Sequence, residues 1–171
     1  MAIYTDMQHV HQSRTLKPRY ARTQATPQAV RLDPAWDASK GDIFPGSVMT
    51  RLADGKVTMC NGTTAPAGLC GNWCAPVFGI DEIRKGSGDM DMALWVLGGD
   101  AIFAIEAPAF DTTANWNAQK TSLEAGKVVY LKSNAKGLLT PEAAPQTATA
   151  NTVARLIDLE GTKIILVGGL L

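Results

Sequence analysis

GDIFPGSVMTRLADGKVTMCNG, residues 41–62, decides the fold class. Two runs of mixed apolar and β-forming residues flank Asp54-Gly55, and Asp-Gly between such runs is a strong hairpin signal. The stretch therefore reads as strand, tight turn, strand. The same texture continues downstream. CAPVFGI (74–80) reads as a short strand and DEIRKGSGD (81–89) as a polar loop. MALWVLGGDAIFAIEA (92–107) holds two β-rich runs around Gly98-Gly99-Asp100, which predicts a second hairpin. FDTTANWNAQK (110–120) reads as a loop with at most a helical turn. KVVYLKS (127–133) is a strand turned by residues 134–137, TPEAAPQTATA (140–150) is a loop, and TVARLIDLEGTKIILVGGLL (152–171) gives two strands around Glu160-Gly161. That makes about nine or ten short strands with turn signals roughly every 8 to 12 residues, and no amphipathic helix of three turns. The expected fold is all-β: a compact β-barrel or β-sandwich of short antiparallel strands.

Upstream the texture differs. RTLKPRYARTQATPQAVRLDP (14–34) carries Arg14, Lys17, Arg19, Arg22 and Arg31 with no acid before Asp33. Neither a helical nor a strand period persists across residues 1–40. Pro18, Pro27 and Pro34 bias the residues before them toward extended geometry. Two units are expected: an extended basic N-terminal arm over residues 1–40 and a β-barrel-like domain over 41–171. The scattered large apolar residues of the arm, Leu16, Tyr20, Leu32 and Trp36 among them, suit anchors for docking.

Composition bounds the rest. At 171 residues and 46% hydrophobic, the chain can bury a core of its own. Sixteen Lys and Arg balance sixteen Asp and Glu, so the basic excess typical of nucleic-acid binders is missing. Cys60, Cys70 and Cys74 are odd in number, show no CxxC spacing and have no histidine nearby. They fit buried small hydrophobes in a reducing compartment better than a disulfide framework or a zinc site. No apolar run approaches the roughly 18 residues of a membrane span, and the first residues lack the pattern of a secretory signal.

Catalytic constellations do not assemble. The only histidines, His9 and His11, sit in the arm, where a general base has no fixed position. Asp81, Glu82, Asp89 and Asp91 cluster in a Gly-rich turn, where Asp serves the turn itself, and SGDMD lacks the spacing and closing glutamate of a calcium loop. LGGDA and VGGLL match no phosphate-cradling motif. Trp95 and Phe103 stand among aliphatic residues and suit core packing. Trp73 and Trp116 fall in loops, where each suits either an oligomer interface or a cap on the barrel. The reading is a non-enzyme with no cofactor, no metal site, no membrane and no specific nucleic acid.

The order of these motifs is the strongest clue to kind. The opening hairpin of 41–62, then APVFGID, ALWVLGGDAIFAI, LEAGKVVYLKSNAKGLLT and TVARLIDLEGTKIILVGGL, resembles the capsid decoration (cement) proteins of tailed bacteriophages. The resemblance covers about residues 41–171 and rests on glycines and strands rather than a catalytic signature. It implies a small β module, made in the host cytoplasm, on the outer surface of an icosahedral head. There it would bind across major capsid protein subunits as a homo-oligomer, trimer favoured over dimer. An N-terminal arm running over the lattice is also implied. Roughly 40 extended residues reach on the order of 130 Å, far beyond the ~14 Å radius of gyration of a domain this size. The residues expected to meet the capsid are therefore Arg14, Leu16, Lys17, Arg19, Tyr20, Arg22, Arg31, Leu32 and Trp36. A head–tail connector or tail tube subunit is the alternative, disfavoured by the lack of a clear helix to pack on the barrel.

Overall fold

The computed structural model describes residues 16–18, 26–33, 43–71, 91–96 and 101–168. In chain order these form β1 (Leu16–Pro18), β2 (Thr26–Arg31), β3 (Val48–Arg51), β4 (Val57–Met59), β5 (Gly68–Cys70), β6 (Asp91–Val96), β7 (Ile102–Glu106), α1 (Trp116–Glu124), β8 (Val129–Ser133), β9 (Leu139–Pro141), β10 (Thr152–Glu160) and β11 (Lys163–Gly168). The expected all-β class holds. Two antiparallel sheets carry the chain, one ordered β1-β7-β11-β10-β8-β9 and the other β2-β6-β5-β3-β4.

The Asp54-Gly55 turn forms where its residues require it. Leu52 N–H donates to Lys56 O at 2.8 Å, and Gly55 takes a positive φ of 85°. The Asp54 carboxylate accepts from the Lys56 ammonium at 2.7 Å and from its backbone N–H at 3.1 Å. The Lys56 hydrogen bond holds the Asp54 carboxyl below its ordinary range. The Glu160-Gly161 hairpin also forms, joining β10 to β11.

The second expected hairpin does not. β6 pairs with β2 and β5, whereas β7 pairs with β1 and β11, so the two runs of 92–107 lie in different sheets. Each strand already has a partner along both edges, which leaves none for the other. The helix α1 is the other departure, replacing the loop expected around Trp116. Asn115 caps it by accepting from Ala118 N–H at 3.1 Å, and Gly126, with φ of 74°, ends it. Its inward row runs Trp116, Gln119, Leu123; the polar middle member hides the helical period. The strand expected over 74–80 lies outside the described residues.

The larger core fills the space between the sheets. Phe103, Ile105, Leu131, Leu139, Ile164 and Leu166 come from β7, β8, β9 and β11 and are fully buried. Val48 and Leu69 meet them from the other sheet. Trp95 of β6 presents its ring to Phe103 edge-on, centroids 5.7 Å apart, a favoured aromatic geometry. Gly68 allows β5 to lie close to β6: a Cβ there would run into the Trp95 carbonyl group.

The five-stranded sheet is buried on its other face too. Val30, Leu32, Ile43, Met49, Val57, Cys70 and Leu94 form a second, smaller core. The sheet curls around it until its ends meet. Leu32 bridges to Val57, Asp33 N–H donates to Val57 O at 2.7 Å, and Arg51 reaches Gln28 Oε1 at 3.2 Å. One half of the protein is thus a small barrel closed by the segment that follows β2.

Leu156 pairs with Leu166 and Leu159 with Ile164, three residues against two, so β10 bulges between Leu156 and Asp158. The extra residue lets Leu159 face inward like Leu156 and leaves both Ile157 and Asp158 on the outer face.

Candidate functional site

The basic N-terminal region is where sequence placed the contacts, and its described parts sit at sheet boundaries. β1 forms the outer edge of the six-stranded sheet, with Leu16 opposite Ile105, Lys17 opposite Ala104 and Pro18 opposite Phe103. Pro18 lacks a backbone donor, which suits an edge position. Leu16 is buried in the large core and Leu32 in the small barrel. Arg31 is exposed at the end of β2, in register with Asp91. The described pieces of residues 1–40 are therefore extended, as their prolines suggest, and they run along the chain's own sheets. Arg14, Arg19, Tyr20, Arg22, Trp36 and Trp73 lie outside the described residues.

Trp116 is half-buried against the large core. Its indole N–H donates to Asp111 O at 2.7 Å, and its ring meets Phe110 edge-on at 5.4 Å. These contacts cap the large core.

Next to it lies an open cleft of about 420 Å³, lined by Phe110, Asp111, Thr113, Asn134, Lys136 and Leu138 among others. Its polar groups serve one another. Asp111 accepts from the Thr113 hydroxyl at 2.6 Å and from the Asn134 amide at 3.2 Å. Asn134 Oδ1 accepts from Lys136 N–H and Leu138 N–H. The Thr113 hydroxyl holds the Asp111 carboxyl below its ordinary range, against a smaller opposing effect of burial. The cluster stitches two loops together.

A third cluster escaped sequence reading. Glu142 is buried, yet its Oε1 accepts from the hydroxyls of Thr149 and Thr152, each at 2.8 Å. The Lys132 ammonium stands 3.8 Å from its other oxygen. The carboxylate clasps the base of the exposed loop 143–151, within a stretch of twelve residues, 143–154, without a charge. A Glu ten residues before a Thr carries no recognisable motif, so no signal could have found it. Glu142→Ala leaves the hydroxyl protons of Thr149 and Thr152 without their acceptor, and a loss of about 1–3 kcal/mol follows. Glu142→Gln, which keeps an acceptor, loses less. Urea midpoints of the two variants check this; equal stability of both to the parent contradicts it.

Cys60 and Cys70 are both buried. Burial pushes the Cys60 thiol up, away from the reactive thiolate. Among the described residues no three His, Cys, Asp or Glu side chains gather as metal ligands, and no helix is long and apolar enough to cross a membrane. What the geometry offers is structure: edge strands, clasped loops and faces. A family model described as phage cement protein matches residues 4–169, nearly the whole chain and including the basic N-terminal region. No curated protein and no solved structure matches.

Proposed function

The chain belongs to the phage cement protein family, and from that premise we propose that it decorates the outer surface of an icosahedral phage head, binding across neighbouring major capsid protein subunits. The family places it with the capsid as a structural component of the virion. The finer reading concerns how it holds on. The observation that carries it is the extent of the match, which begins at residue 4 and so takes in the basic segment together with the two sheets.

In this reading the folded body, made in the host cytoplasm, sits on the expanded shell as a homo-oligomer, trimer favoured over dimer. The basic residues Arg14, Lys17, Arg19 and Arg22 meet acidic capsid surface on neighbouring subunits, while Leu16 and Leu32 hold the segment to its own body. Anchoring a basic strap at two points lowers the entropy lost when it docks. Each exposed ion pair adds only about 0–1 kcal/mol, but many copies on one lattice act together.

Neutralising Arg14, Lys17, Arg19 and Arg22 to Gln tests the strap without removing a strand. At ~0.5 kcal/mol each, four pairs amount to ~2 kcal/mol, roughly a thirtyfold loss in affinity for expanded shells. The variant keeps the parent's melting temperature. Equal affinity of variant and parent in a co-sedimentation titration removes the strap from the account. Binding of the parent to naked DNA, steeply weakened by salt, would assign the charges to nucleic acid instead.

A further inference from the structure

Among the described residues the exposed large hydrophobics are two, Val128 at 42% and Ile157 at 44%. Either one alone would be ordinary surface. They are not separate. Val129 pairs with Leu156 at the end of the antiparallel β8–β10 ladder, and Val128 and Ile157 are the residues that directly adjoin that pair, one on each side. Cross-strand neighbours on one face lie about 5 Å apart at Cβ, which makes the pair one patch. Alternation along β10 sets Ile157 on the face opposite the inward Leu156, and the bulge adds Asp158 to that same outer face.

The charges beside the patch are arranged in a particular way. Arg155 lies on β10 before Ile157 and Asp158 directly after it, and both are exposed. A strand carrying plus, apolar, minus in that order is complementary to itself when reversed. We propose that Val128 and Ile157 form the centre of a two-fold contact between two copies of this chain. A two-fold axis beside Ile157 brings the apolar pairs together and sets Arg155 of each copy against Asp158 of the other, an isologous arrangement. The patch is far smaller than the ~800 Å² per partner of a stable solution dimer. It is a weak contact that gains strength where copies are crowded together, through effective concentration. The surface is distinct from the basic strap and does not depend on what the strap binds.

The test uses the free full-length protein. Ile157→Cys, in a Cys74→Ser background, places a thiol beside the proposed axis. Under mild oxidation it forms disulfide dimers about tenfold faster than Ala148→Cys, a control thiol on the exposed 143–151 loop, because the contact raises its effective concentration. Adding Arg155→Asp slows the reaction to the control rate. Adding Arg155→Asp together with Asp158→Arg restores it, since the reversed pair is again self-complementary. All variants keep the melting temperature of the background. Dimerisation no faster than the control, or no rescue by the double reversal, overturns the proposal.

Discussion

A chain lacking residues 1–33 loses its cooperative unfolding transition. The deletion removes β1 and β2, and with them Leu16 from the large core and Val30 and Leu32 from the small barrel. Three buried aliphatic side chains stabilise by about 1.5–3 kcal/mol each, a sum comparable to the ~5–15 kcal/mol of a whole domain. The loss goes beyond area. β6 and β7 each lose an edge partner, and the small barrel opens at the Leu32–Val57 seam. Bare edges are templates for pairing with other chains, so aggregation follows. Thermal melts followed by circular dichroism check this. A sharp transition within a few degrees of the full chain contradicts it and makes the leader an appendage after all.

Phe103→Ala has the second-largest effect. Among the described residues Phe103 is the largest fully buried side chain, and it stands between the sheets, edge-on to Trp95. Its removal leaves a cavity where the two sheets meet, and costs about 3–5 kcal/mol. For a chain of this size that lowers the melting temperature by roughly 6–20 °C. Ile102→Ala, one residue away but on the opposite, half-buried side of β7, costs less. Equal losses for the two variants would contradict the placement of the core.

Much of the fold was legible because short-range chemistry decided it. Asp54-Gly55 and Glu160-Gly161 both sit between runs of β-forming residues, and both make hairpins. Gly98-Gly99-Asp100 gives the same local signal, but β6 and β7 belong to different sheets, and partners far along the chain decided that. Local turn chemistry cannot report such a choice. The same holds for α1, whose inward row is interrupted by Gln119, and for the closure of the small barrel, which depends on Leu32 meeting Val57 across 25 residues. The basic region was legible as extended but not as built into the sheets. Its buried residues, Leu16, Val30 and Leu32, are too few to set up a period. The glutamate clasp and the Val128–Ile157 patch were not legible at all, since one needs a fold to bring Thr149 and Thr152 to Glu142 and the other needs the β8–β10 pairing to bring the two strands side by side.

A co-sedimentation titration of the full chain against empty expanded heads and against unexpanded ones tests the proposed cementing role. A cement protein binds expanded heads saturably at a fixed ratio to the major capsid protein, binds unexpanded ones little, and raises the disruption temperature of the decorated shell. Equal binding to both, or binding to neither, contradicts it.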